Sequence, residues 1–256
     1  MFIGNIIGVL VAICCSYGLY FSYNNTGDVA LWFSKQTVCE VQDYRTQIVS
    51  EDPLLVYVEN FVSQTEVSQL LNIGKTRYSP SKLSTGTSGD AYRSSQSAGL
   101  PPSEPPVSCV GSRALSLMES FTDASDEFGI PQLVTYKPGQ QYKLHYDWFQ
   151  ESMRYKDGRL CNRVTSIFVF LEADCTGGET YFPRVVPTAS SLIDDGKAIQ
   201  NGSFEGIMFK PIPGNALFWV NLPDNRIGDE RVLHGGLPVH NGTKTGMNIW
   251  PLRCEP

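Results

Sequence analysis

Charge is sparse in this chain, and basic charge never gathers. Only 18% of the 256 residues are Asp, Glu, Lys or Arg, and the formal net charge is −6. No run of Lys or Arg occurs, which excludes nucleic-acid binding through a basic surface. The seven cysteines contain no C-x-x-C pair, which excludes a zinc ribbon or a thioredoxin-type motif. No charged side chain precedes Asp28, and no internal repeat is visible. Histidine is scarce as well. His145, His234 and His240 are the only three, so any chemistry that needs imidazole must draw on them.

The uncharged start is informative. Phe2 to Tyr23 is a nearly continuous apolar and aromatic stretch. At about 1.5 Å per residue it can cross a hydrocarbon core of about 30 Å. It predicts a membrane signal anchor over 1–23, with a cleaved signal peptide as the alternative. Residues 24–50 are mixed and polar and read as a linker, leaving 51–256 as the folded domain. Three N-x-S/T sequons, at Asn24, Asn201 and Asn241, support a secretory setting. The expected location is the endoplasmic reticulum membrane, single-pass with the body in the lumen, or the secreted space. Cys39, Cys109, Cys161, Cys175 and Cys254 lie in the body. Five is odd, so at least one thiol stays outside internal pairing, and the connectivity is open.

Abundant Gly, Pro and aromatic residues suit a β-rich domain with many turns. Leu54 to Glu59 reads as a strand. Ser63, with Glu66 three residues on, reads as a helix start, followed by Val67, Leu70 and Leu71 at helical spacing. Residues 79–106 read as a long polar loop, and a second helix is expected over 109–128. Short strands are expected over 131–136, 141–147, 163–171, 179–182, 206–210, 215–220, 230–238 and 244–250, with a polar insertion at 184–205. That series predicts a mainly β fold with flanking helices, most plausibly a double-stranded jelly roll.

His145 and Asp147 carry the first chemical signal. Residues two apart on a strand project from one face, so an imidazole and a carboxylate can reach one point. His234, in RVLHGGLPV, is the natural second imidazole. Two histidines and one carboxylate form the facial triad that leaves open positions on an iron(II) ion. Lys244 lies on an otherwise apolar strand, where a buried ammonium needs an anion. An odd-length hairpin loop at His240-Asn241-Gly242, with Gly242 left-handed, would place Lys244 and His234 on one face. Trp148, Phe168, Phe170, Phe218 and Trp219 read as core packing, and Gly177 and Gly178 as turn geometry.

Five ordered segments, YKPGQQYKLHYD, NRVTSIFVFL, GGETYFP, FKPIPGNALFW and LHGGLPVHNGTK, closely resemble the prolyl 4-hydroxylase branch of the iron(II)/2-oxoglutarate dioxygenases. The FKPIPGNALFW and TGMNIW wording is most similar to filamentous-fungal members. The resemblance implies a double-stranded β-helix core and iron(II) held by His145, Asp147 and His234. It implies Lys244 and Tyr136 on the distal carboxylate of 2-oxoglutarate, with Ser166 near that co-substrate and Trp250 lining the site. It implies Tyr142 and Arg163 as peptide contacts, and Arg93-Ser94-Ser95 as part of a flap over substrate, with the 79–100 loop as a lid. The implied reaction is hydroxylation of an unactivated C–H, expected at C4 of a peptidyl proline, using O2 and decarboxylating 2-oxoglutarate to succinate and CO2, with L-ascorbate as the restoring reductant. The expected partner is a proline-containing peptide or protein, not nucleic acid, with membrane contact through the N-terminal segment.

Animal and algal members carry a histidine two residues after the tryptophan, where this chain has Leu252. Substrate identity therefore stays open. The rival readings are the same chemistry on a free amino acid or small metabolite, a zinc hydrolase using the same three ligands, and a non-catalytic jelly-roll binding module.

Overall fold

In a computed structural model of the full chain, the structure describes residues 39–81, 93–123, 125–155, 157–188, 191–200, 205–223 and 227–255. The expected N-terminal anchor or signal segment lies outside these residues, as does the 82–92 part of the expected loop. No helix among the described residues is long and apolar enough to cross a membrane.

The compact unit begins at Cys39, earlier than expected. Residues read as linker instead supply the strand Arg45–Glu51, because Val49 and Ser50 find a buried place at the sheet edge. Every strand pairing is antiparallel. An eight-stranded sheet runs in the order Arg45–Glu51, Leu54–Glu59, Ala216–Val220, Thr165–Gly177, Val239–Ile249, Gln132–Tyr136, Gln96–Gly99, Ser79–Pro80. A five-stranded sheet runs Ala198–Ile199, Ile207–Phe209, Thr180–Phe182, His234–Gly236, Tyr142–His145. A four-stranded sheet is made of Glu127–Phe128, Pro251–Cys254, Leu160–Arg163 and Met153–Arg154. This is the jelly-roll core that the sequence predicts.

Strand alternation divides the core in two. Along Thr165–Gly177, Ile167, Val169 and Leu171 face one way, into a cluster with the helix residues Val67, Leu70, Val110 and Met118. Phe168 and Phe170 face the other way, into a cluster shared with Phe182, Ile207 and Phe209 of the five-stranded sheet. The helices thus support the back of the large sheet, and the site lies on its front.

The helix Gln64–Gly74 starts where the sequence places it. The Ser63 side chain accepts from the Glu66 backbone N–H, and Glu66 accepts from the Ser63 N–H. Glu66 also accepts from both Nη atoms of Arg113 at 3.0 and 2.8 Å, which ties the two helices together. The second helix is Pro105–Met118, shifted from the expected 109–128. Pro105 and Pro106 were grouped with the loop, yet proline suits a first helical turn, where its missing N–H costs nothing. The expected polar insertion also folds in part. Ser191–Asp194 is a short helix, Ala198–Ile199 is a strand, and Val185, Leu192 and Ala198 are buried. Disulfides join Cys39 to Cys109 and Cys161 to Cys254, and among the described residues Cys175 is the free thiol.

The expected hairpin at 240–242 does not form. Val239–Ile249 is one continuous strand paired along Thr165–Gly177, with a register shift opposite Thr176 and Gly177. Gly242 is left-handed, at φ +78°, as expected. A Cβ there would lie 1.8 Å from the Asp174 carbonyl oxygen, so the irregularity requires glycine. The chain instead crosses from the five-stranded to the eight-stranded sheet through Leu237 and Pro238. His234 and Lys244 therefore reach the cavity from two different sheets, and strand parity does not decide their relation.

Candidate active site

A cavity of about 650 Å³ opens between the two large sheets, and His145, Asp147, His234, Tyr136 and Lys244 all line it. His145 ends the strand Tyr142–His145 and pairs in register with His234 on the neighbouring strand. The imidazole centroids are 4.3 Å apart. His145 Nε2 lies 3.8 Å from Asp147 Oδ1, and His234 Nε2 lies 3.9 Å from Asp147 Oδ2. One ligand atom from each residue falls within 4.8 Å of the others, the convergence a single cation requires.

The local bonding prepares these groups as ligands. His145 Nδ1 lies 2.8 Å from the Lys143 carbonyl, and His234 Nδ1 lies 3.0 Å from the Val232 carbonyl. Each carbonyl accepts a hydrogen bond from Nδ1–H, which leaves each Nε2 lone pair facing the centre. Burial, then the neighbouring His234, hold the His145 imidazole well below its ordinary pKa, so it is neutral at physiological pH. Burial pushes the Asp147 carboxyl up, but His234, Arg163, His145 and the Trp250 N–H together outweigh it and keep it ionised. A neutral imidazole at His145 and an anionic carboxylate at Asp147 are metal-binding states.

Asp147 is held on every side. Its Oδ2 accepts from the Ser166 hydroxyl at 2.7 Å and the Trp250 indole at 2.9 Å. Its backbone carbonyl accepts from Arg163 Nη1 at 3.1 Å, and the Arg163 guanidinium lies 3.6 Å over the Trp250 ring. Ser166 is fully buried behind Asp147 and contacts its carboxylate. Trp250 does line the cavity, with its polar edge on Asp147. Asn221, which donates to Ser166 Oγ at 2.8 Å, carried no signal in the sequence.

Lys244 lies within the strand Val239–Ile249 and is 2% exposed. It pairs in register with Tyr136 on the adjacent strand. Its Nζ donates to Thr180 Oγ1 at 3.3 Å and lies 5.3 to 5.7 Å from the ring centroids of Phe168, Tyr136 and Phe170. Among the described residues no carboxylate comes within ion-pairing distance. Burial lowers its amino group to about 8, with Cys175 and Glu179 opposing. A buried cation whose polar contact is one hydroxyl fits an incoming carboxylate. Thr180, in GGETYFP, was not singled out from the sequence, although that segment was.

The cavity mouth brings together the expected substrate residues. Tyr142 stacks on His145 with centroids 3.6 Å apart, and the Arg93 guanidinium lies 4.5 Å over the Tyr142 ring. Arg93 bridges Tyr142 in β fashion, donates to Ser95 and Gln132, and is buried, so the expected flap segment is anchored at this end. Three aromatics read as core packing prove to be cavity walls as well. Phe168, Trp219 and Trp148 all line the space, and Trp148 stacks on Tyr146 at 4.7 Å while donating to the Asp229 carbonyl.

Fold and site together define a class. A jelly-roll core with a two-histidine, one-carboxylate centre and a buried cation in the same cavity is the architecture of a mononuclear non-haem iron oxygenase. Comparison with known proteins makes this specific. Residues 131–251 match the model of the 2OG-Fe(II) oxygenase superfamily. The chain is 29% identical over 235 residues to prolyl 4-hydroxylase 1 of Arabidopsis thaliana, covering 87% of this chain and 78% of that protein. It is 30% identical over 219 residues to the probable prolyl 4-hydroxylase 3 of the same plant, covering 81% and 72%. Among solved structures, its fold is similar to the 2OG complex of the viral collagen prolyl hydroxylase from Paramecium Bursaria Chlorella virus-1, with a TM-score of 0.57, 23% identity, and 77% and 95% of the two chains covered. This chain belongs to the prolyl 4-hydroxylase branch of the 2OG-Fe(II) oxygenases and is a 2-oxoglutarate-dependent dioxygenase.

Proposed function

We propose that the chain hydroxylates proline within a peptide, with iron(II) on His145, Asp147 and His234 and 2-oxoglutarate between that centre and Lys244. The carrying observation is the pairing of two features in one cavity: a convergent His-Asp-His set and a buried ammonium with no carboxylate partner among the described residues. When bound, iron(II) would activate O2, with one oxygen atom passing to succinate as 2-oxoglutarate loses CO2 and the other inserted into a C–H bond.

The protein's own part is positioning and exclusion. His145, His234 and Asp147 would hold the ion. Lys244, Tyr136 and Thr180 take the distal carboxylate of the co-substrate. Tyr142, Arg163 and Arg93 face the mouth, where a peptide enters, and their donors suit main-chain carbonyls. Phe168, Trp148 and Trp219 wall the space against water while the reaction proceeds. L-Ascorbate is the expected reductant that returns oxidised iron to iron(II).

The wording of FKPIPGNALFW and TGMNIW supports a place near filamentous-fungal members. Two disulfides and the apolar N-terminal stretch support a catalytic domain in the lumen of the endoplasmic reticulum, or a secreted one.

The test is an anaerobically iron-loaded preparation of the full protein, given 2-oxoglutarate, air and a proline-rich peptide. The expected result is succinate formation that the peptide stimulates, with 4-hydroxyproline in the hydrolysed product. Stimulation by a free amino acid and not by any peptide would replace the substrate half of the reading. Turnover supported by zinc alone would overturn it entirely.

A further inference from the structure

Behind the Asp147 carboxylate runs a file of side chains whose hydrogen-bond directions follow from their chemistry. The Trp219 indole N–H can only donate, and it does so to Asn221 Oδ1 at 3.0 Å. The Asn221 amide nitrogen therefore faces the other way and donates to Ser166 Oγ at 2.8 Å. With its oxygen occupied by that donor, the Ser166 hydroxyl proton is left for Asp147 Oδ2, 2.7 Å away. Trp219, Asn221, Ser166 and Asp147 are all buried, and none of their side-chain polar atoms lacks a partner. The Trp250 indole donates to the same Oδ2 from the opposite side, at 2.9 Å. Two fixed donors thus saturate Oδ2, while Oδ1 lies 3.8 Å from His145 Nε2 and 3.9 Å from Arg163 Nη1.

The file also reaches the second imidazole. The Trp219 ring packs edge-on to His234, with centroids 4.7 Å apart. Ser166 and Trp219 are cross-strand partners in the large sheet. One indole therefore touches a histidine ligand with its ring and commands the carboxylate ligand through its N–H.

We propose that Trp219, Asn221 and Ser166 act as a one-way positioning relay that presents Asp147 through a single oxygen and couples its orientation to that of His234. The proposal rests on the reading of His145, Asp147 and His234 as metal ligands. None of the three relay residues is itself one of the metal ligands; each acts on the metal site through Asp147 or His234. A relay of this kind makes a prediction that mere packing does not. Asn221→Asp preserves shape and keeps the Trp219 bond, but a carboxylate cannot donate. The Ser166 hydroxyl would turn toward position 221, and Asp147 would lose that donor while facing a second anion.

The experiment titrates cobalt(II) into metal-free protein, following both affinity and the visible absorption of the bound ion. Outer partners of this type typically alter metal affinity by about 10- to 100-fold. Asn221→Asp and Ser166→Ala are expected to weaken cobalt(II) binding within that range and to change the absorption bands. Ser166→Thr keeps the hydroxyl and is expected to restore both toward wild type. Thermal unfolding of the metal-free proteins controls for folding: Asn221→Asp buries a second anion beside Asp147 and is expected to melt lower, so cobalt(II) is titrated well below that transition, and Ser166→Ala carries the same test without added charge. Wild-type affinity and spectrum in Asn221→Asp and Ser166→Ala would overturn the relay alone. Failure of the wild-type protein to bind cobalt(II) would overturn the ligand assignment and the relay with it. Loss of affinity in Ser166→Thr equal to that in Ser166→Ala would also count against the relay, since it would place the effect in packing and not in the hydroxyl.

Discussion

Lys244 and Tyr136 face each other across adjacent antiparallel strands, both buried, with the lysine nitrogen 5.7 Å from the tyrosine ring centroid. Neither has a carboxylate partner among the described residues. A buried ammonium in such a place costs stability until an anion arrives, and the cavity they share leads to the His-Asp-His set. In the proposed function, one charged end of the co-substrate goes to Lys244 and the other to the metal.

The first prediction removes that charge. Lys244→Ala should raise the 2-oxoglutarate requirement on the order of a hundredfold or more, since losing one partner of a buried charge pair costs about 2–5 kcal/mol. Metal affinity should be unchanged, because Lys244 touches none of the three ligands. Steady-state kinetics in 2-oxoglutarate, alongside a metal titration, checks both halves. Equal loss of metal binding would place Lys244 outside the role assigned to it.

The pH dependence of the same group has a definite sign. Burial lowers the Lys244 amino group from its ordinary 10.5 to about 8 in the folded protein. Between those values the unfolded chain binds more protons than the folded one, so this group's contribution to stability improves as pH rises from about 8 toward 10.5. Below pH 8 the full cost of the buried charge is present. Co-substrate binding runs the other way, because it needs the charged form. The 2-oxoglutarate affinity of the metal-loaded protein should therefore fall as pH rises above about 8, and calorimetry in buffers of different ionisation enthalpy should detect proton uptake on binding.

Gly246 offers a steric test of the cavity floor. A Cβ there would lie 2.2 Å from the Phe168 ring, and Phe168 lies 5.3 Å from the Lys244 nitrogen. Gly246→Ala must push the ring toward the lysine or strain the sheet, at about 1–3 kcal/mol. The expected result is a lower melting temperature together with weaker 2-oxoglutarate binding. A wild-type co-substrate affinity would show that the ring moves elsewhere.

What the sequence reveals here depends on how local each signal is. The His145–Asp147 spacing, the Ser63–Glu66 capping box and the left-handed Gly242 are set by neighbours a few residues away, and all stand in the structure. The ten-residue interval from His234 to Lys244 misled, because it was read as one hairpin when the chain changes sheets at Leu237 and Pro238. Asn221 and Thr180 escaped for a related reason: their partners, Ser166 and Lys244, lie 55 and 64 residues away in the chain. Trp148 and Trp219 were read as core because a tryptophan that walls a cavity has the same apolar surroundings in sequence as one that fills a core. Pro105 and Pro106 hid a helix start behind residues that elsewhere mark loops.

The Cys161–Cys254 disulfide should matter to the site more than its distance in sequence suggests. It closes a separation of 93 residues and joins the strand ending at Arg163 to the strand that follows Trp250. Arg163 and Trp250 stack at 3.6 Å and both hydrogen-bond Asp147. Replacing both cysteines with serine should cost about 2–5 kcal/mol, the range for removing a native disulfide. It should also raise the peptide KM more than the 2-oxoglutarate KM, because the loosened pair sits at the mouth and Lys244 does not. Parallel changes in both constants would argue for general loosening instead.

Metal removal should leave a folded but less stable protein. Without an ion, the Asp147 charge is still balanced by Ser166, Trp250 and Arg163, and both imidazoles keep their backbone acceptors, so nothing in the cluster forces collapse. An ion that binds only the folded state at about a hundred times its Kd adds about 2.7 kcal/mol. For a chain of this size each kcal/mol shifts Tm by about 2–4 °C, so saturating metal should raise Tm by about 5–10 °C over chelator-treated protein. His145→Ala, His234→Ala and Asp147→Ala should each abolish that shift, while Lys244→Ala should keep it. A metal-dependent shift that survives loss of any one of the three would mean the ion binds elsewhere, and the convergence of these side chains would then need another explanation.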